Sequence, residues 1–273
     1  MGYLLAELRH KLRKLRLGIQ PGDLVLDVGS GNNPHFRADV LCDRYVADDT
    51  QREGRLYLDR PMAAGDVHNL PFKDGAFDYV ICSHLLEHVD NPDRAVQELT
   101  RVARRGYVET PSEFGEKLEG AQFHRWFVRL ENGVLVFREK GTHPYDTAIS
   151  GPLWVLHARR DTTWNVFRHT HFDMFVTCCE WEGSLPTEVI RGEVPYDPMT
   201  TDTPTAKGEL RHSALASDIL RRLTQRRHAL PDWCDICRST CCDADVVSRP
   251  GLLACSACGR EFPIREGVPL FCE

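Results

Sequence analysis

The chain has 273 residues, 42% of them hydrophobic, 9% aromatic and 27% charged, with a formal net charge of −6. That length accommodates one large domain or a medium domain beside a small one, and the balance excludes global disorder, a collagen-like repeat and a coiled-coil rod. The acidic excess also argues against a surface that is an electrostatic glove for nucleic acid, and leaves only local basic patches for that role.

No apolar run approaches the ~18 residues a membrane span needs. Arg9, Lys11, Arg13, Lys14 and Arg16 interrupt the stretch where a signal peptide would carry its apolar region, so the expected compartment is the cytoplasm. The cytosol keeps thiols reduced, which predicts that many of the eleven cysteines are metal ligands rather than disulfides. Seven of them follow residue 230.

Residues 3–17 read as an amphipathic helix, with Leu4, Leu5, Leu8, Leu12 and Leu15 on one face; packing on the domain that follows with a solvated basic face is the favoured reading, and contact with anionic lipid or RNA the alternative. A buried strand is expected over 24–28, closing in the turn Gly29-Ser30-Gly31, and further strands over 38–42, 77–82 and 106–110. Between the last two, Asp90 or Asn91 caps a helix that has Pro92 in its first turn. Ala95, Val96, Leu99, Val102 and Ala103 line one side of it, and Gly106 is its expected stop. Strands alternating with helices predict an α/β fold with a mostly parallel sheet covered on both faces.

Two apolar runs within 125–138 flank Asn132-Gly133, a dipeptide suited to the positive φ angles of a tight hairpin. A helix over 154–159 and a strand over 172–181 follow. The Pro- and Thr-rich stretch 195–204 reads as a linker, and 209–229 as a basic helix carrying Arg211, Arg221, Arg222, Arg226 and Arg227. The expected division is a domain over 1–195, a linker with the basic helix over 196–229, and a small domain over 230–273.

A strand ending Asp27-Val28-Gly29-Ser30-Gly31 lets the backbone turn sharply and brings a ligand close to the main chain. The third glycine of a dinucleotide fingerprint is replaced by Pro34, and no Gly-Lys-Ser/Thr follows, which weakens a nicotinamide or flavin reading and excludes a P-loop. Residues 20–115 resemble the class I S-adenosylmethionine-dependent methyltransferases, most closely the type 11 group that includes quinone-biosynthesis methyltransferases. The residues 77–89, Phe-Asp-Tyr-Val-Ile-Cys-Ser-His-Leu-Leu-Glu-His-Val, match the fourth-strand motif of that family.

The resemblance implies a Rossmann-like doubly wound sheet. It also implies that S-adenosyl-L-methionine is held by Asp27, Gly29, Ser30 and Gly31, by Asp43 at the ribose, by Asp66 and Val67 near the adenine, and by Ser83. Ionised carboxylates only accept hydrogen bonds, which suits Asp43 to hydroxyls and Asp66 to an amino group. Only eleven residues, 32–42, separate Gly31 from Asp43 and they include Pro34, so the usual first helix must be shortened or replaced by a loop; Asp48 or Asp49 could then serve the ribose instead. In-line methyl transfer depends on positioning. A hydroxyl acceptor is helped by a base, for which His84, His88 and His124 are the candidates. Trp126 or Phe127 could face the sulfonium.

Cys234-x-x-Cys237 and Cys255-x-x-Cys258, seventeen residues apart, have the spacing of a closed four-thiolate Zn2+ site that stabilises a small domain. Cys241 and Cys242 are spare thiols close enough to confuse that ligand set. The ending Leu-Ala-Cys-Ser-Ala-Cys-Gly-Arg-Glu-Phe-Pro-Ile-Arg-Glu-Gly-Val-Pro-Leu-Phe resembles small zinc-ribbon proteins that bind and activate methyltransferases of tRNA, rRNA and release factors. That resemblance implies an activator fused to its enzyme and packed on it. Four arginines against seven acidic residues in 230–273 disfavour RNA as its partner. The expectation is a methyltransferase acting on a small-molecule, lipid or glycan hydroxyl or amine. An RNA or protein acceptor, and a non-catalytic binding module, are the alternatives.

Overall fold

The architecture, taken from a computed structural model, is described for residues 12–46, 55–119, 121, 123–141, 152–153, 155–157, 159, 161–192 and 230–272. Strands β1 (Val25–Val28), β2 (Val40–Asp43), β3 (Met62–Ala64), β4 (Phe77–Ser83), β5 (Ala103–Pro111), β6 (Trp126–Glu131), β7 (Val134–Glu139), β8 (Val176–Glu182) and β9 (Thr187–Ile190) form two sheets. The larger has the order β3-β2-β1-β4-β5-β8, parallel except for β8. Leu26 of β1 pairs with Val40 on one side and Val80 on the other, so the apolar run 24–28 is buried from both faces. The chain winds outward from β1 to β3 and then returns to β4. This puts the topological switch, and the crevice where such sheets bind ligands, at the carboxyl ends of β1 and β4.

Residues 29–39 contain no helix. A loop takes its place, as Pro34 requires. It is pinned by Arg60, whose Nη1 donates to the carbonyls of His35 (2.9 Å) and Ala38 (2.7 Å), and by Asp27, whose Oδ2 accepts from His35 N at 2.7 Å.

Helix α1 (Pro92–Val102) starts as expected: Asn91 Oδ1 accepts from Arg94 N, and Ala95, Val96, Leu99 and Val102 are buried. Its stop differs. The helix passes straight into β5 at Ala103, and Gly106 lies inside that strand. A Cβ there would stand 2.6 Å from the Trp181 ring and 2.7 Å from Val80 O, so this glycine serves close packing rather than a cap.

Asn132 (φ 50°) and Gly133 (φ 81°) turn the β6–β7 hairpin, and β9, which no sequence signal announced, adds to it in parallel. Helices α2 (Glu113–Glu119), α3 (Thr162–Thr170) and α4 (Phe172–Phe175) complete this part. The strand expected over 172–181 begins only at Val176. Phe172 and Phe175 sit one helical turn apart, and in α4 Phe175 is buried against α2. Among the residues expected in the 154–159 helix, 155–157 are helical. The N-terminal helix over 3–17 is described only from residue 12, with a 3-10 turn at Lys14–Arg16. The linker, the basic helix, Asp48 and Asp49 lie outside the described residues.

Beyond residue 230 come α5 (Trp233–Ile236) and an antiparallel sheet of β10 (Val246–Arg249), β11 (Leu252–Cys255), β12 (Glu261–Arg265) and β13 (Val268–Pro269). This segment lies on the β3 edge. Leu270 pairs in parallel with Ala64, Phe271 N donates to Ala64 O at 3.0 Å, and Cys237 pairs with Phe72. Ile236, Cys237, Val246, Leu253, Phe262 and Phe271 join the same apolar cluster as Phe72, Phe77 and Leu99. Buried Glu98 of α1 ties the two parts together, accepting from Leu70 N (2.8 Å) and Arg101 Nη2 (2.7 Å) and pairing with Arg238 at 3.5 Å. The C-terminal segment thus covers an edge strand that would otherwise present unpaired backbone groups.

Candidate active site and cysteine centre

At the switch point the glycine turn has the shape its sequence announces. Gly29 holds φ +72°, and a Cβ there would stand 2.9 Å from Leu85 Cδ2; Gly31 holds φ +52°. Gly29 N donates to Cys42 O at 2.8 Å, and Gly31 N to Asp43 Oδ2 at 3.0 Å, so the turn is fastened to the end of β2. Asp27, Ser30 and Asp43 are therefore brought together. Ser30 Oγ, Ser83 Oγ and Thr110 Oγ1 are buried at these strand ends without a hydrogen-bond partner. Buried hydroxyls are normally satisfied, so this rim has unfilled polar capacity facing a backbone cradle.

Asp66 follows β3, but its carboxylate is already engaged. Oδ1 accepts from His68 N (2.9 Å) and lies 2.8 Å from the His68 ring, and Oδ2 pairs with Arg44 at 3.0 Å. The His68 ring, the backbone and Arg44 together outweigh desolvation and hold its pKa down at about 2. The side chain of Val67 is buried in the core.

The three candidate histidines fall into one chain of polar groups along the ends of β4 and β5. Arg13 Nη2 donates to Glu109 Oε2 at 2.7 Å while its guanidinium stacks 3.8 Å over the Phe172 ring. Glu109 Oε1 lies 3.3 Å from His84 Nε2, and His84 Nδ1 lies 3.4 Å from Glu87 Oε1. Desolvation works against a charge on His84, but the two glutamates outweigh it and raise its pKa. His84 sits at φ +54°, an uncommon conformation for a residue with a side chain. Glu87, His88 and His124 then place their ligand atoms within 4.8 Å of one another. His124 Nδ1 meets Glu116 Oε2 at 2.6 Å, and Glu116 in turn accepts from the buried Lys140.

Sequence reading found the histidines and missed Arg13, Glu87, Glu109, Glu116 and Lys140. The signal for Glu87 and Glu109 was present: each interrupts or ends an apolar run, as in Leu-Leu-Glu-His and Tyr-Val-Glu-Thr. Nothing local marks Glu116 or Lys140, which meet across 24 residues of chain. Trp126 and Phe127 are both buried; Trp126 Nε1 donates to Val89 O at 2.6 Å, and Phe127 lies near Lys140 and Arg138.

In the C-terminal segment the sulfurs of Cys241, Cys242, Cys255 and Cys258 lie within 4.8 Å of one another, with Cys241 and Cys258 3.5 Å apart. Tetrahedral zinc with bonds of about 2.3 Å asks for sulfurs about 3.8 Å apart, so this group fits the ion. Hydrogen bonds from Ser239 and the Cys258 backbone draw the Cys255 thiol down to about 6, whereas desolvation raises Cys241 and the contact with Cys258 raises Cys242. Of the expected set, Cys255 and Cys258 stand in this group, whereas Cys234 and Cys237 do not and Cys241 and Cys242 take their places. Cys234 and Cys237 lie at α5 on the core side, where Cys237 is fully buried and paired with Phe72. The next turn, bending at Asp243 (φ 54°), delivers Cys241 and Cys242 over the Cys255-x-x-Cys258 knuckle.

Residues 26–108 match the family described as Methyltransferase domain. A demethylmenaquinone methyltransferase of Renibacterium salmoninarum is 34% identical over 110 residues, covering 38% of this chain and 46% of that protein. A norajmaline N-methyltransferase of Rauvolfia serpentina is 35% identical over 68 residues, covering 25% and 22%. The chain thus spans less than half the length of both. Among solved structures, the complex between the Haloferax volcanii Trm112 methyltransferase activator and a methyltransferase matches with TM-score 0.38 and 15% identity, covering 68% of this chain and 93% of that one.

Proposed function

We propose that the chain is an S-adenosyl-L-methionine-dependent methyltransferase acting on the hydroxyl or amine of a small molecule, lipid or glycan. The observation that carries this reading is the glycine cradle at the β1–β4 switch, fastened to Asp43 and rimmed by the partnerless hydroxyls of Ser30 and Ser83. The cofactor fits there: Gly29, Ser30 and Gly31 offer backbone at close range, Asp43 accepts from ribose hydroxyls, and Ser30 and Ser83 gain the partners they lack. When bound it supplies an electrophilic methyl group. The chain's own part is to hold the acceptor in line with that methyl, with His88 and His124 placed to take a proton from it; His84, whose charge Glu109 and Glu87 favour, is a poor base. The relatives that methylate a quinone precursor and an alkaloid support a small acceptor.

Residues 1–195 form the catalytic domain in this reading. Residues 230–273 are a ribbon closed by zinc on Cys241, Cys242, Cys255 and Cys258, whose task is to cover the β3 edge and α1, as its shared core with them supports. That task accounts for the ribbon without an RNA or protein acceptor. The test is thermal unfolding with and without S-adenosylhomocysteine. Binding raises the midpoint by mass action, and Asp43→Asn weakens the effect by about tenfold or more in ligand concentration, the size expected for charged hydrogen bonds. A midpoint unmoved by saturating ligand sinks the reading.

A further inference from the structure

The group at Glu87 has a feature that proton transfer leaves unexplained. Its side chain is 1% exposed and neither carboxylate oxygen has a hydrogen-bond partner; its ion pair with His84 Nδ1, at 3.4 Å, engages Oε1 and leaves Oε2 without one. A buried carboxylate without hydrogen bonds costs several kcal/mol, so such groups are ordinarily paired or bound to a metal. The two imidazoles on its other side are fixed as ligands would be. His124 is held through Nδ1 by Glu116 at 2.6 Å, which leaves Nε2 as its free nitrogen, and Lys140 balances the Glu116 charge. The His88 ring hydrogen-bonds the Phe123 backbone, stacks parallel to the Phe123 ring at 5.8 Å, and stands edge-on to His124 with centroids 4.6 Å apart. A carboxylate behind a ligating histidine is the usual outer partner that fixes its tautomer and orientation.

We propose that Glu87, His88 and His124 bind a divalent first-row transition-metal ion, a second metal site distinct from the cysteine group. Two imidazoles and one carboxylate suit Mn2+, Fe2+, Co2+ or Zn2+ and leave coordination positions open. Glu87 and His124 are buried whereas His88 is exposed, so the ion sits at the mouth of the crevice with its open positions toward incoming ligands. Resting on the methyltransferase reading, these positions take an acceptor's hydroxyl oxygen, which narrows the acceptor class to oxygen nucleophiles; with the ion bound, His88 and His124 are its ligands and no longer proton acceptors. Glu116 acts as a positioning residue behind His124.

The full-length protein, with zinc retained in its cysteine group, is titrated with Mn2+ while the paramagnetic resonance of free Mn2+ is followed; Co2+ spectra and S-adenosylhomocysteine calorimetry run in parallel. The expected result is one tight Mn2+ per chain and a Co2+ spectrum without a thiolate charge-transfer band. Glu87→Gln should abolish Mn2+ binding, and Glu116→Gln should weaken it about 10–100-fold, both with S-adenosylhomocysteine binding retained. A wild-type protein that leaves the Mn2+ signal unchanged at millimolar protein, or a Glu87→Gln variant that binds as tightly, overturns the site. Metal binding without S-adenosylhomocysteine binding keeps the site and sinks the methyltransferase reading. The reverse result sinks only the site.

Discussion

The parallel sheet and the C-terminal sheet share one apolar core yet are specified in different ways. In the first, runs such as 25–28 and 79–82 are buried on both faces, and hydrophobic burial marks them as central strands. In the second, the strands are short and largely exposed on one side, and only Val246, Leu253, Phe262, Val268 and a few neighbours reach the interior. Such a unit has little core of its own; it shares the core of the β3 side at one end and gathers four sulfurs at the other. A strand announces itself through its own residues, whereas a cluster of thiols depends on how distant turns are brought together.

Substitutions at the cysteines, Phe271, Gly29 and Asp66 probe this contrast. The largest effect is expected from Cys242→Ser or Cys258→Ser, which should yield protein with little zinc and a lost C-terminal sheet, whereas Cys234→Ser should keep full zinc. Metal content of the purified variants decides this, and the opposite pattern would restore the spacing-based ligand set. Next comes Phe271→Ala: Phe271 is buried at 4% exposure, packs on Phe262 at 4.7 Å, and its backbone holds Ala64. Denaturant titration should show a loss of about 3–5 kcal/mol, felt by the whole molecule because the core is shared. A loss confined to the C-terminal sheet would mean that the two parts unfold independently.

Gly29→Ala comes third. Its positive φ and the contact with Leu85 should cost about 1–3 kcal/mol and weaken S-adenosylhomocysteine more than tenfold. Unchanged affinity would detach the turn from the cofactor. The smallest effect belongs to Asp66, whose pKa is lowered from 3.8 to about 2. A depressed carboxylate contributes stability that is complete above its unfolded value and is lost as pH falls through the folded one. The stability of the wild type should therefore decline between about pH 4 and pH 2 more steeply than that of Asp66→Asn; identical acid profiles would remove His68 and Arg44 as its stabilising partners.

What the sequence made legible follows the same physics. β1, the Gly29–Gly31 turn, the capped start of α1 and the Asn132-Gly133 hairpin are encoded within a few consecutive residues, and each is where those residues place it. Gly106 was misread because a glycine that ends a helix and one that makes room for Trp181 look alike until the partner is known. The Cys234-x-x-Cys237 spacing looks the same whether its thiols pack against a core, as they do here, or gather with Cys255 and Cys258. The polar chain from Arg13 to Lys140 draws on five separate stretches of sequence, so only its histidines, in the fourth-strand motif and before β6, stood out.

One calorimetric comparison decides whether the crevice has a cofactor side at Asp43 and an acceptor side at Glu87. Wild-type protein, Asp43→Asn and Glu87→Gln are each titrated with S-adenosylhomocysteine. The account predicts saturable binding at one site per chain in the wild type, a loss of about tenfold or more in Asp43→Asn, and near wild-type affinity in Glu87→Gln. No heat from the folded, zinc-loaded wild type would contradict it.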